Sequence, residues 1–231
     1  VYNRQALRRE FTANVSHELK TPLHAISGYA ELMKDGLVPP EDTRHFSEKI
    51  YSEAQRMIDL VEDTLRLSRL DEGAADMQWA PIDLYETVKA AMQELTAPAE
   101  LKNVSIRLEG TKTVIQGIPQ LVSGIVFNLM DNAVKYTPAG GAVRVSASAY
   151  QMFSAIHVAD NGPGIPEDEQ PRVFQRFYRG LSNPTEEGVG IGLYLVRQIA
   201  EGQGGYVKVS SKPGEGSTFS LYLPREICQH C

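Results

Sequence analysis

Apolar positions in the first third of the chain recur at helical spacing. With successive residues about 100° apart on a helix, Phe11, Val15, Leu19, Pro22, Ile26, Tyr29 and Met33 fall in one sector. A second run, Phe46, Ile50, Met57, Val61 and Leu65, repeats the period. Residues 36–40, with Gly36, Pro39 and Pro40, break the pattern between them. The pattern predicts two long helices, over residues 4–35 and 41–70, folded back as a hairpin. At 1.5 Å per residue each is roughly 45 Å long. One such pair cannot enclose its own apolar stripe, so a second copy is expected to complete a four-helix bundle, making a homodimer. Pro22 removes a backbone donor in mid-helix and predicts a bend or loosening there, at a cost of about 3 kcal/mol.

Beyond residue 72 the period changes. Strand-like runs occur at 104–108, 113–116, 142–149, 154–160, 206–210 and 218–223, with helical stretches at 84–97, 119–136 and 191–201. This predicts an α+β or α/β domain, a mixed sheet with helices against one face. The expected organisation is two domains: an all-α helical hairpin over residues 1–72, a linker at 73–76, the mixed-sheet domain at 77–225, and a tail at 226–231.

Composition narrows the function classes. The 231 residues suffice for a buried core. Lys and Arg number 23 against 29 Asp and Glu, a net charge of −6 with the signs interspersed, so no nucleic-acid footprint is visible. No apolar run approaches the roughly 18 residues that span a bilayer, and no signal peptide is evident. The chain opens on Val1 in an already helical stretch and reads as a fragment, so membrane contact is expected only through segments outside it. Cys228 and Cys231, the two cysteines, read as part of a loose tail.

Four stretches carry candidate chemistry. Ser16-His17-Glu18-Leu19-Lys20-Thr21-Pro22 places an imidazole beside a carboxylate, about 160° from the middle of the apolar sector. Alone, that is an ordinary surface histidine. Asn128, Asn132, Lys135 and Tyr136 are spaced to share a helix face. Amide oxygens can ligate Mg²⁺ and an ammonium can neutralise phosphate, although such a face reads equally as solvated helix surface. Asp160-Asn161-Gly162-Pro163-Gly164 ends a strand in a turn whose glycines permit close ligand approach. A carboxylate there could accept from the exocyclic amine of adenine. Gly188-Val189-Gly190-Ile191-Gly192-Leu193 leads into a helix whose free amides favour an anion. It matches neither the P-loop nor a dinucleotide fingerprint. The intervening residues 167–187, polar with Phe174, Phe177 and Tyr178 interleaved, suit a mobile lid.

In this order the motifs resemble the sensor histidine kinases of two-component signalling, over residues 7–224. The phosphoacceptor box is at 16–22, the asparagine box at 128–136, and the aromatic box at 174–179. Glycine boxes lie at 160–164, 188–193 and 214–218. The resemblance implies a dimerisation and phosphoacceptor hairpin joined to an ATP-binding α/β sandwich, with its mixed sheet, of the gyrase and Hsp90 type. It implies that His17 takes the γ-phosphate of ATP and that Glu18 accepts the proton or fixes the tautomer. Asn132 is implied as the Mg²⁺ ligand, with Asn128 and Lys135 near the phosphates and Tyr136 and Asp160 at the adenosine. Gly162, Gly164, Gly188, Gly190, Gly192 and Leu193 would shape the pocket, and Arg179 would reach the γ-phosphate. The implied second substrate is an aspartate of a response-regulator receiver domain. Thr21, four positions after His17, is associated in the family with positioning water to dephosphorylate the regulator. The implied location is the cytoplasmic side of a membrane-anchored bacterial sensor.

Three alternatives share the pocket. ATP-hydrolysing relatives carry a Glu four residues before the metal-binding Asn, where this chain has Asn128. Serine kinases of the anti-sigma type have no need of the hairpin with its His-Glu pair. A non-catalytic ATP-binding scaffold would not need every motif residue. His24, His45 and His157 are expected to have no catalytic role.

Overall fold

The structure is a computed structural model that describes residues 2–71, 78–176, 178, 180 and 190–225, with side chains described over the same residues apart from 2–14, 17, 18, 59, 62, 63 and 65–71. Two compact units divide at residue 73.

The first unit is the expected hairpin: α1 (Tyr2–Lys34) and α2 (Thr43–Asp71), with a 3₁₀ turn at Pro40–Asp42. Along α1, Val15, Leu19, Ile26, Tyr29 and Met33 are half-buried and Pro22 is buried. Tyr29 meets Phe46 of α2 edge-on, with ring centroids 5.6 Å apart. α1 continues as one element through Pro22, because a single missing donor removes one bond of a long ladder. Gly36 ends it in the left-handed region at φ +68°. There the Leu37 N–H bonds to Leu32 O (3.0 Å) and the Gly36 N–H to Met33 O (3.2 Å), which satisfies carbonyls the helix end would leave open. Val61, expected on the α2 stripe, is exposed, as are Leu23, Leu32, Tyr51 and Ile58.

The second unit runs β1 (Ala80–Asp83), α3 (Leu84–Glu94), α4 (Thr96–Leu101), β2 (Ser105–Gly110), β3 (Val114–Gly117), α5 (Pro119–Tyr136), β4 (Ala142–Ala149), β5 (Phe153–Asp160), α6 (Gly192–Gly202), β6 (Tyr206–Lys212) and β7 (Gly216–Pro224). The main sheet has the order β2-β4-β5-β7-β6, with β2 parallel to β4 and the other pairs antiparallel. β1 and β3 form a separate antiparallel pair. Sequence pattern does not reveal β1, since four residues containing Pro81 carry too little alternation. The helix expected over 84–97 is two elements. Pro98 cannot bond back to Glu94, but it fits the first turn of α4, where a donor has no intrahelical acceptor.

Alternation on the strands builds the core. Val143, Val145, Ile156, Val158, Phe219, Leu221 and Leu223 point to the helical side and are buried, against Val122, Ile125, Val126, Leu129, Met130, Ala133 and Val134 of α5. α5 lies between α3 and α6 over the sheet. Its first turn is held by buried Gln203, whose Oε1 accepts from the Ile118 N–H (3.1 Å). The opposite sheet face carries His157, bonded through Nδ1 to Ser220 Oγ (2.8 Å) and set edge-on to Tyr222. Burial lowers the His157 pKa, and its contacts are those of a packed surface residue. Among the described residues no helix is long and apolar enough to cross a membrane.

Candidate active site

Because one side of α5 is committed to the core, Asn128, Asn132, Lys135 and Tyr136 are left on the other side. Asn128 and Asn132 are half-buried; Lys135 and Tyr136 are exposed. The Lys135 ammonium is 3.7 Å from Asp131, one turn back. Asn128 faces the start of α6: a Cβ at Gly192 would stand 3.9 Å from the Asn128 amide. Gly190 adopts φ +73° just before that helix. The α6 N-cap, Ile191, supplies no side-chain acceptor, and the first turn carries no acidic residue. Its leading amides, with half-buried Leu193, therefore suit an anion next to Asn128.

Asp160 closes the other end. Its Oδ1 accepts from the Gly162 N–H (2.9 Å) and the Ser217 N–H (3.2 Å), which fixes the carboxylate plane and leaves Oδ2 for a ligand. Burial raises its pKa, and the two amide bonds oppose the rise. The turn is close-packed: a Cβ at Gly162 would lie 2.9 Å from Tyr136 O, which brings the end of α5 against Asp160. At Gly164, φ is +73° and a Cβ would lie 2.0 Å from Lys212 O, so no other residue fits. The β6–β7 hairpin bolts this turn in place. Ser211 Oγ accepts from the Ile165 N–H (2.8 Å) and donates to Gly216 O (2.8 Å), and Gln170 Nε2 donates to Ile165 O (3.0 Å) and Ser211 O (2.8 Å).

The front of the expected lid is anchored. Phe174 is buried edge-on to Phe219, with centroids 6.2 Å apart, and the Arg172 guanidinium lies 4.6 Å from the Tyr178 ring centroid. Arg176 stands over Tyr194 of α6 at the same distance. Phe177, Arg179, Gly188, the linker at 73–76 and the Cys228/Cys231 tail lie outside the described residues. His17 and Glu18 lie on α1, but their side chains are outside the description; Thr21, one turn on, is exposed.

The second unit thus brings Asn128 to Gly192 and Tyr136 to Asp160 and Gly162. Gln170, Ser211 and Ser217 hold the site without having been assigned roles from sequence. Ser217 falls within a glycine box and so carried a signal; Gln170 and Ser211 are polar residues in unremarkable contexts. Neutral side-chain amides beside the leading amides of a helix, with a half-buried carboxylate at Asp160, suit a ligand with an anionic group and a hydrogen-bond-donating ring.

Residues 117–227 match the family described as histidine kinase-, DNA gyrase B- and HSP90-like ATPase, and residues 7–73 match the His Kinase A (phospho-acceptor) domain. The chain belongs to the histidine kinase family and comprises its catalytic core. It is 36% identical over 226 residues to the sensor-like histidine kinase SenX3 of Mycobacterium tuberculosis, a match covering 96% of this chain and 55% of that protein. It is 34% identical over 222 residues to the histidine protein kinase DivJ of Caulobacter vibrioides, covering 94% of this chain and 37% of that one. The chain spans about half the length of the SenX3 proteins it matches. Among solved structures, full-length ShkA in complex with AMPPNP is 28% identical with a TM-score of 0.68, covering 93% of this chain and 45% of that one. The same fold is seen in histidine kinase ThkA in complex with response regulator protein TrrA, at 21% identity and TM-score 0.76, covering 97% of this chain and 64% of that one.

Proposed function

We propose that this chain is an ATP-dependent histidine autokinase of a two-component system, organised as a phosphoacceptor domain (1–72), a linker (73–76), an ATP-binding domain (77–225) and a tail (226–231). The observation that carries the reading is the Asp160 carboxylate, pinned through Oδ1 with Oδ2 left over, at the opposite end of the site from Asn128 and the free amides of α6. That polarity fits adenine at Asp160 and phosphates at α6. ShkA, 28% identical, has a full-length structure in complex with AMPPNP, which supports a nucleotide as the ligand class.

In this reading Tyr136, Gly162 and Gly164 border the adenosine, and Gly188, Gly190, Gly192, Leu193, Asn128 and Lys135 border the phosphates. Asn132 offers Mg²⁺ a neutral amide oxygen. Such a donor suits a cation that arrives with phosphate oxygens, and the ion's chemistry there is neutralisation of charge on the transferring group. Arg179 adds a second positive group at the γ-phosphate. A ring nitrogen of His17 attacks the γ-phosphorus, the bond to the β-phosphate oxygen breaks and ADP leaves, while Glu18 either takes the imidazole proton or fixes the ring tautomer, the proton then passing to solvent. Phosphohistidine then gives its phosphoryl group to an aspartate of a response-regulator receiver domain. Thr21, exposed one turn beyond His17, is the candidate for orienting water in a regulator phosphatase reaction. Two chains pair through their hairpins, and the whole protein is a membrane-anchored bacterial sensor whose cytoplasmic side holds this core.

Incubation with γ-labelled ATP and Mg²⁺ tests the reading. Acid-labile, base-stable label is expected on the wild type and none on His17→Gln; label persisting in that variant sinks the assignment. In the same assay Thr21→Ala should keep autophosphorylation and lose regulator dephosphorylation, and an unaltered phosphatase rate removes Thr21 from the scheme.

A further inference from the structure

The last turn of α5 is held by a residue that this scheme does not use. Lys102 lies in the corner between α4 and β2. Its Nζ donates to Val134 O (3.3 Å) and to Lys135 O. These are among the carbonyls that a helix C-terminus leaves without intrahelical donors, and a cation there also meets the negative end of the helix dipole. The neighbouring Ala133 O is taken by the Thr137 N–H at 3.0 Å. Lys135, the one basic residue of that turn, is directed back to Asp131. The capping charge therefore comes from a residue more than thirty positions earlier.

The same corner is stitched to the turn that follows α5. The Gly140 N–H bonds to Asn103 O (2.9 Å) and the Ser105 N–H to Gly141 O (3.0 Å). Asn103 takes φ +56° to make this possible, a conformation that Asn tolerates better than most residues. From that turn the connection continues to the nucleotide side: the Ala142 N–H donates to Asn161 Oδ1 at 2.8 Å. A Cβ at Gly141 would stand 2.4 Å from Thr137 Cγ2 and 2.6 Å from Asn161 Oδ1, so the turn has no slack. Tyr136 and the Asp160–Gly162 turn thus border one close-packed junction, and Lys102 grips its α5 side.

We infer that Lys102 is a positioning residue for the adenosine end of the site, holding the last turn of α5 at the depth where Tyr136 and the Asp160 carboxylate meet one ligand. It acts through backbone carbonyls and does not contact the nucleotide. The inference rests on the nucleotide reading given above.

The test is calorimetric binding of Mg²⁺·ADP and of adenosine to the full chain, with thermal unfolding followed alongside. Lys102→Met keeps the aliphatic stem and removes the donors and charge; it should weaken ADP and adenosine alike by about tenfold. Lys102→Arg, which can still donate to both carbonyls, should stay within about threefold of wild type. A residue that merely supported the fold would lower the unfolding midpoint and the binding-competent fraction while leaving Kd unchanged, and that result overturns the inference. Loss for ADP without loss for adenosine also overturns it, because Lys102 would then be acting as a charge near the phosphates. Lys102→Gln, which retains a neutral donor, is read by the same criteria if the Met variant unfolds. Wild-type protein that binds no ADP refutes the nucleotide reading itself, whereas wild-type binding with an unaffected Lys102→Met refutes only the role of Lys102.

Discussion

The two units bury apolar surface in opposite ways. In the hairpin, Pro22 and Leu60 are the buried residues among the described side chains, while Leu23, Leu32, Tyr51, Ile58 and Val61 stand exposed. In the α/β unit, Leu129, Met130, Val145, Ile156, Leu195 and Leu221 have no exposure at all. A sheet covered by helices encloses a core, whereas two helices side by side expose most of their circumference. The chemistry divides along the same line. The hairpin carries His17 on α1, and the α/β unit carries the donors and acceptors around Asn128 and Asp160.

The strongest way to break that comparison is Ile58→Glu. Ile58 is half exposed on α2, and a carboxylate buried there by a second hairpin would be unpaired. Sedimentation should show dimerisation weakened by about 100-fold or more, with ADP binding unchanged. A variant that remains fully dimeric would place the interface elsewhere. Gly164→Ala probes the other unit, since its methyl would meet Lys212 O in a left-handed backbone. Denaturant unfolding should show the α/β unit destabilised by about 2–4 kcal/mol, with dimerisation intact. Equal loss in both units would mean that they are not energetically separate.

A smaller effect follows from the raised pKa of Asp160. Oδ1 is engaged by two amides, so a proton arriving on the carboxyl goes to Oδ2 and turns the ligand-facing acceptor into a donor. Adenosine affinity should therefore be full above the raised pKa and decline as pH falls through it, beginning at higher pH than an ordinary carboxylate would allow. For stability the sign is reversed: burial of the charged form makes Asp160 a destabilising group at neutral pH, and that penalty is relieved as the group protonates. Affinity that follows the ordinary carboxylate range would remove burial as the governing cause.

The hairpin and the sandwich were both legible because their periods differ and each period is set by local geometry. The stripe from Val15 to Met33 and the inward residues of β4, β5 and β7 come directly from that rule. β1 was not legible: four residues with a proline give no alternation, and only pairing with β3 makes them a strand. The split of α3 from α4 could have been anticipated from Pro98, but its exact place depends on packing. For the candidate site, the sequence pointed to Asn128, Asn132, Asp160 and the glycines because turn glycines and polar positions on an otherwise apolar helix stand out from their surroundings. Gln170, Ser211 and Lys102 were not, since each acts through one or two bonds to backbone atoms far away in sequence, and many residue types can make such bonds.

By itself the sequence determined the two-unit organisation, the mixed character of the second unit, and which polar positions are candidates for its site, because helix and strand periods and glycine conformations are local properties. Only the tertiary structure decided which oxygen of Asp160 remains for a ligand, that Gly192 lies against Asn128, and that Lys102 caps a helix more than thirty residues away. Those features are distances between segments remote in the chain, and they exist once a shared core has placed those segments side by side.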